Sequence, residues 1–590
     1  AGLLLGFLLP LVAVDIPSYG DGAEMVMAAL TGSLVHPPGF PVLSQVNEWL
    51  YASLGGAPYE TVATFSVFEH TIAAMILFWV LSYWLKSLWL AAGLTLSVAL
   101  APSAIKIATD AEVFAFHHLM MAILIWVSLA VYRKPTLYKV MGFGFIFGVA
   151  GAHHPLAIFW MPLAFLPLIK KRSEVFKQSF AFVLFGFIGL CPYFLLFERY
   201  DAAPLWAFGH VTTFSELYHH AMRTTYGTLK LSGNFTGETT SLLGPFFIET
   251  LKTAPLLLIL FSYGLWKSYK EKNTSRLILC FVFVLHVLFL ILARMPNTNV
   301  SLELGTRFYS SVLLALMLAA VPGCFYFLAE KTKIWTFLVV IGLLAPTVIE
   351  LPSALERAKW AEDRITRDFV DATFQALPEN AVFIAQHDAE SFGMLYEQAV
   401  SGIRKDVQIV VEGRLSTNWY RQQLREQMPV LEGRLLQKSE ALLKLISIAK
   451  NKGLRVFTSF PTNVSSRFVM RPLGVLWEVY ERDKVPDNAY VVTTILRNCT
   501  SVMQTFKAPA RAGAASFSIL NNLSGGYLAL VQTLNKPGFD PTQLKTGIDA
   551  LVKGQGFAEL RNACRAYQKQ FLVKPAVPHQ AKVPNGAPPQ

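Results

Sequence analysis

The sequence predicts a polytopic α-helical membrane protein with an extracytoplasmic α/β domain towards its C-terminus. Three observations predict it. The 590 residues are 53% hydrophobic and only 15% charged, with a mean hydropathy of +0.43, whereas soluble domains carry about 25% charged residues. Apolar runs of spanning length, about 20 residues for a helix, recur from the first residues to position 350. After Leu351 charged residues become frequent and apolar runs shorten to strand length.

Taken in order, the runs at 1–14, 61–85, 88–101, 113–132, 140–152, 155–169, 179–197, 246–266, 276–293, 309–329 and 334–350 read as spans, about eleven in all. The first is short. No small-residue cleavage site follows it, so a removed leader is not expected. Residue 1 is Ala, which points to a trimmed or processed start. The excess of 51 Lys and Arg over 39 Asp and Glu is read as basic cytoplasmic loops, not as a nucleic-acid surface. Lys86, then Arg133, Lys134 and Lys139, then Lys170, Lys171 and Arg172, then Lys267, Lys270, Lys272 and Arg276, then Lys331 and Lys333 all fall in alternate loops. By the positive-inside rule those loops are cytoplasmic. The complementary set lies outside: 15–60, 102–112, the His153-His154 turn, 198–245, 294–308 and everything after 350. The expected location is a bacterial inner membrane with the C-terminal part in the periplasm, with an endoplasmic-reticulum membrane as the alternative. N-x-[ST] triplets at Asn234, Asn463, Asn498 and Asn522 are common enough by chance to carry little weight.

The chain therefore divides into a membrane domain with outer loops over 1–350, an α/β domain over 351–510, a helical segment over 511–572 and a disordered Pro-rich tail over 573–590. Within the second unit, 381–386, 406–411 and 454–459 read as buried strands alternating with helices at 391–400 and 418–428, a pattern for a mainly parallel sheet. No GxGxxG and no P-loop is present, so nucleotide binding has no support. Cys191, Cys280 and Cys324 lie in or beside apolar runs and read as packing residues. Cys499 and Cys564 lie in the polar part, where pairing stays open.

Chemistry concentrates on the outer side. The stretch Asp15–Leu43, DIPSYGDGAEMVMAALTGSLVHPPGFPVL, places Asp15, Asp21 and Glu24 beside the bilayer, where carboxylates are costly unless paired or used. Asp21 and Glu24 are three apart, so one helical turn sets them on one face. A sugar leaving a lipid phosphate needs a carboxylate to take the proton of the incoming hydroxyl and a fixed cation to hold the departing phosphate. Asp21 and Glu24 are the candidates for the first task. Arg223, Arg294 and Arg307 are candidates for the second, and His36 could bond phosphate or sugar. Asp110 and Glu112 sit in the next outer loop. The 198–245 loop reads as an amphipathic helix on the membrane surface. Two adjacent histidines, His153 and His154, do not make a metal site without a third ligand, and no metal or other cofactor is expected.

These residues resemble a known family. GDGAEMVMAALTGSLVHPPGFPVL is similar to the Asp-x-Gly-Glu, then His-Pro-Pro-Gly-[Tyr/Phe]-Pro, signature of protein O-mannosyltransferases that modify IPT/TIG domains, within the GT-C superfamily of polyprenyl-phosphate-sugar-dependent glycosyltransferases. TDAEVFAFHHLMMAILIW (109–126), GVAGAHHPLAIFW (148–160), PLWAFGHVTTFSELYHHAMRTTYG (204–227), TRFYSSVLLAL (306–316) and residues 376–424 resemble further family segments in the same order. The resemblance implies a GT-C fold, with Asp21 or Glu24 as general base and Asp110 and Glu112 on the acceptor side. It implies Arg223 and Arg307 as donor-phosphate contacts with His36 beside them, and His153, His154 and Tyr226 in support. The sequence departs from the pattern at Ala23, where many members have Ser, and at His387-Asp388, where many have Gly-Asp. Neither change removes a carboxylate.

The expected activity is inverting transfer of a sugar, expected to be mannose, from a polyprenyl-phosphate donor to a protein Ser or Thr hydroxyl outside the cytoplasm. The expected partners are a lipid-linked sugar and a protein acceptor, with no nucleic acid; oligomeric state is not legible. A non-catalytic membrane scaffold or lipid-handling subunit is the alternative. A transporter lacks support, since no paired short, Gly/Pro-broken segments recur in matching halves.

Overall fold

The structure, a computed structural model, describes residues 5–6, 9–10, 20–170, 174–201, 206–209, 211–224, 238–297, 299–328, 333–359, 364–427, 438–459, 467–473 and 476–485. Asp15, Tyr226, Cys499, Cys564, the four Asn triplets and the segments 511–572 and 573–590 lie outside the described residues, as does most of the first expected span.

Helix α1 (Asp21–Thr31) lies in the stretch expected to form the first outer loop and carries both acids in its first turn, where the helix dipole favours negative charge. It stops at Gly32, whose φ of 64° completes the C-terminal cap on Ala28. Helix α2 (Pro41–Leu54) opens on a proline and closes at Gly55, and α3 (Pro58–Leu85) is the first long apolar helix. Next, α4 (Leu88–Ala99) and α5 (Pro102–Ala108) meet at 71°, because Pro102 cannot continue the helix before it. Helix α6 (Val113–Arg133) crosses, and α7 (Leu137–His153) runs back to a 3₁₀ segment, Pro155–Ala164.

Helix α8 (Val175–Ile188) packs on α7 through small residues. A Cβ at Gly148 would stand 2.0 Å from the Gly186 carbonyl, and one at Gly189 would stand 2.1 Å from that of Phe145. Glycine is required for that backbone-on-backbone approach. Cys280 and Cys324 are buried, as packing residues should be, whereas Cys191 is exposed and does not pack in the core. It follows α8 in a short 3₁₀ turn, Cys191–Phe194, none of whose residues is buried.

Among the described residues six helices are long and apolar enough to cross a membrane, or eight if each bent pair is one span, and two shorter apolar helices accompany them. The molecule is thus an integral membrane protein. The sequence reading of a single span over 246–266 is corrected. α9 (Leu243–Thr253) and α10 (Pro255–Lys270) form a 104° elbow set at Ala254-Pro255, the residue before proline leaving the helical region at φ −150° and ψ 49°. Helices α11 (Thr274–Leu292), α12 (Asn299–Leu328) and α13 (Lys333–Lys359) complete the membrane part. The apolar window of α12 is 94% buried, which makes it the central strut.

Alternate loops gather at opposite ends. At one end Arg133 lies over the Tyr83 ring (4.4 Å), Arg276 over that of Tyr326 (4.2 Å), and the Tyr132 hydroxyl meets Ser275 (3.0 Å). The acids and histidines of the outer loops gather at the other.

Beyond α13 lies a five-stranded sheet. Its strands are β1 (Val382–Ala385), β2 (Gln408–Val411), β3 (Val456–Thr458), β4 (Phe468–Leu473) and β5 (Leu476–Glu481), in the order β2-β1-β3-β5-β4. The first three are parallel, each within an expected strand. The antiparallel pair β4 and β5 falls outside the sequence expectation. Helices α14 (Arg364–Ala376), α15 (Asp388–Ala399), α16 (Asn418–Gln427) and α17 (Lys438–Asn451) accompany the sheet. Its apolar core does not end at its own boundary. Ala23, Val26, Met27 and Ala29 of α1, with Tyr59, Val62 and Ala111, are buried in the same cluster as Val382, Phe383 and Leu395.

Candidate active site

The HPPG segment after α1 is held from three sides. The Phe208 amide donates to Leu34 O (2.7 Å), a His220 ring nitrogen bonds Val35 O (3.1 Å), and the His36 amide donates to Glu24 Oε1 (2.9 Å). Glu24 Oε2 also bonds His36 Nδ1. Both oxygens of Glu24 are therefore engaged with His36, and the side chain is buried. Burial lowers the readiness of His36 to charge, but the Glu24 and Asp21 carboxylates overcome this and raise its pKa.

Next to this segment a small, partly open cavity of about 50 Å³ is bounded by Asp21, His36, Pro37, Pro38, Phe40, Glu112, Phe114, His154, Arg223, Arg307 and Phe308 among others. Arg307, near the outer end of α12, donates to Asp21 Oδ2 at 2.5 Å and reaches Glu112 Oε1 at 3.5 Å. Its guanidinium carbon stands 5.8 Å from the centres of both the Phe114 and Phe308 rings. Arg307 Nε and Glu112 Oε2 are buried with no hydrogen-bond partner among the described residues.

The two carboxyls differ in their electrostatics. Burial would push Asp21 up, but Arg307, then His36 and Arg223, outweigh it and hold the group down at about 2. Burial dominates at Glu112. Arg307 opposes it, the Asp21 and Asp110 charges add to it, and the carboxyl is pushed up to about 7.

The approach of α1 to the second outer loop depends on Gly22. A Cβ there would stand 2.5 Å from the Tyr59 hydroxyl and 3.0 Å from the Ala111 carbonyl. Tyr59 OH and Ala111 N both donate to Asp110 Oδ1 (2.6 and 2.8 Å), so Asp110 ties the loop together and does not bound the cavity.

The two histidines also separate. His154 Nδ1 accepts from Leu156 N (3.2 Å), so the neutral ring carries its hydrogen on Nε2, and the side chain forms part of the cavity wall. His153 is fully buried beside Val113 O (3.1 Å), away from the cavity.

Of the residues singled out from sequence, Asp21, His36, Glu112, His154, Arg223 and Arg307 thus come together. Glu24 supports His36, while Asp110 and His153 are structural neighbours. Arg294 instead sits in a short antiparallel pair opposite Ser241. Sequence reasoning missed the aromatic walls Phe40, Phe114 and Phe308. It also missed Asp388, the exposed first residue of α15, within electrostatic reach of Asp21 and His36. Only its place in the family-like segment drew notice to it. Among the described residues no group of three or more His, Cys, Asp or Glu could hold a metal ion.

Known proteins match this chain over both its membrane part and its α/β domain. Residues 21–176 match the family model for the protein O-mannosyl-transferase TMEM260 N-terminal domain, and residues 366–432 match TMEM260-associated domain 2. The protein O-mannosyl-transferase TMEM260 of Mus musculus is 23% identical over 442 residues, covering 70% of this chain and 62% of its own length. The Dictyostelium discoideum protein of the same name is 20% identical, with 68% and 55% covered. The chain therefore spans less than two thirds of the length of these relatives. Among solved structures, ArnT from Cupriavidus metallidurans bound to undecaprenyl phosphate superposes with a TM-score of 0.50 at 11% identity, covering 82% of this chain and 98% of that one. Its apo form gives the same score over 81% and 95%. That likeness shows a shared fold.

Proposed function

We propose that this chain, a GT-C-type relative of the TMEM260 protein O-mannosyl-transferases, moves mannose from a polyprenyl-phosphate donor to a protein Ser or Thr hydroxyl. The reaction would take place on the side of the membrane away from the basic loops. The observation that carries the reading is Arg307 held between Asp21 and Glu112 in a cavity at the end of the helix bundle. A fixed guanidinium suits a departing phosphate because it stays charged when partly buried and offers a forked set of donors. Arg223 on the same cavity supplies a second positive charge. Undecaprenyl phosphate, which the solved ArnT binds, is the kind of ligand such a site would take.

In the reaction the acceptor hydroxyl oxygen attacks the anomeric carbon on the face opposite the phosphate. The bond between that carbon and the phosphate oxygen breaks, and its electron pair leaves on the lipid phosphate beside Arg307. The hydroxyl proton passes to a carboxylate. We assign that role to Glu112, whose Oε2 is unbonded among the described residues and whose affinity for a proton matches neutral pH. Asp21 is the tighter partner of Arg307 and sets its position. This departs from the first-loop base that the resemblance implies, and Glu24 becomes a positioning residue for His36. Attack from the face opposite the leaving group gives inversion at the anomeric carbon.

The test uses the full chain in nanodiscs with polyprenyl-phosphate mannose and a Ser/Thr-containing protein acceptor, reading mannose transfer by mass spectrometry. Arg307→Ala should abolish transfer in chain that is still recovered folded, with a lowered melting temperature because Asp21 loses its partner. Transfer by Arg307→Ala at the wild-type rate would end the enzymatic reading and leave the scaffold.

A further inference from the structure

A second opening shares one wall with the cavity. Pro37 bounds both. Across Pro37, the residues Phe208, Gly209, Glu216, His220, Asn418, Trp419 and Gln422 help to surround an open groove of about 420 Å³, towards the lower end of the usual range for binding sites, about 300–1,000 Å³. One side is the segment 206–209 with the short helix Phe214–Ala221, and the other is α16 of the α/β domain.

The groove is built, not incidental. Phe208 N is bonded to Leu34 O, and Arg414 covers the Phe208 ring at 4.4 Å. Phe208 and Trp419 meet at 5.4 Å between ring centres. Thr213 and Glu216 cap the short helix reciprocally. Gly209, at φ +117°, leaves the space in which a Cβ would stand 3.2 Å from the His220 ring.

We infer that this groove binds the acceptor polypeptide as an extended segment and delivers a hydroxyl over Pro37 to the cavity. The inference rests on the glycosyl-transfer reading and deepens it. Three features select a peptide. The groove adjoins the reaction cavity through Pro37 and is lined on one side by the α/β domain and not by the long apolar helices, the side from which a polypeptide acceptor would arrive. Asn418 and Gln422 are four apart and exposed on one face of α16; the Asn418 amide oxygen accepts from Arg421, which fixes the side chain and turns its NH₂ towards an incoming backbone carbonyl as a donor. The half-buried Trp419 and Phe208 supply flat apolar contact next to those amides. A lipid tail is disfavoured because α16, NWYRQQLREQ, is strongly polar along its length.

Binding is measured without turnover, so it is independent of the chemistry. A fluorescent pool of Ser/Thr-rich 12-residue peptides is titrated against the full chain in nanodiscs, with no donor present, and followed by anisotropy. Wild type should bind saturably. Trp419→Ala should weaken binding tenfold or more, and Trp419→Phe should recover most of it. Asn418→Ala/Gln422→Ala, both at exposed positions, should weaken it severalfold without changing the melting temperature, which covers the case that Trp419→Ala misfolds. No saturable binding by wild type, or equal binding by all variants, overturns the groove. Mannose oligosaccharides that bind while the peptides do not overturn it in favour of a glycan site. Mannose transfer measured in parallel separates the two readings. A wild type that transfers but shows no groove dependence loses only the groove, and a wild type that binds peptide but never transfers loses the proposed activity.

Discussion

Arg307 holds two acids of opposite disposition, and the difference makes their roles separable. Glu112 keeps its proton until about pH 7, so the form able to accept a proton grows as pH rises. kcat/KM should climb through about pH 7, and Glu112→Gln should remove that limb along with on the order of 10²-fold or more of the rate, as a pH–rate profile will show. Stability carries the opposite sign. A folded-state value above the ordinary 4.5 means that stability is lost as pH climbs towards about 7, so Glu112→Gln should flatten the melting temperature against pH across that window. Both acids are reached by one guanidinium nitrogen, Nη1, which leaves the rest of the planar donor set for a phosphate; Arg307→Lys keeps a charge but loses that set, and donor KM should rise at least tenfold, on the order of 1.4 kcal/mol. At this scale much was legible in the sequence. Asp21, His36 and Arg307 announce themselves as charged or turn-forming residues beside apolar runs. Glu24 does not reveal its partner, because a hydrogen bond across twelve residues depends on how the chain folds back after Gly32.

The elements show where periodicity and length suffice and where they do not. Long apolar helices such as α3, α6 and α12 follow from hydropathy, and the three parallel strands follow from short apolar runs. The elbow between α9 and α10 escapes the sequence because its two halves together have spanning length, and a mean over the window cannot register a corner. The antiparallel pair β4 and β5 escapes it because Arg471, Glu478 and Glu481 interrupt the apolar signal. Glu478 is buried against Arg455, a pairing that composition does not reveal. The contact between α7 and α8 makes a sharp prediction. Gly148→Ala places a methyl into the Gly186 carbonyl, so the helices have to separate. Overpacking of this kind costs about 1–3 kcal/mol, and a fall in the detergent melting temperature will measure it. Gly142→Ala, on the same helix with open space around it, should be neutral or slightly stabilising.

For the whole molecule, the membrane part and the α/β domain are joined through α1. Val26 is fully buried there among residues of both. Val26→Asp would put an unpaired charge in that shared core, at a cost on the order of several kcal/mol. Limited proteolysis should then release a fragment starting near residue 360 that wild type protects, and transfer should fall with it. The existence of two units was legible from the change of composition after Leu351. Their union through a loop helix was not, since the apolar face of so short a helix looks the same whichever partner covers it.

That shared helix ties the chemistry to the outermost part of the chain. Asp21 opens α1, and the same helix is clamped into the apolar interior beneath the sheet. Any tilt of the sheet therefore carries the acid with it and changes its distance from Arg307, which is anchored in the central strut. A protein that seats itself on the sheet’s helices would be pulling on the very ion pair that must loosen before a phosphate can take its place.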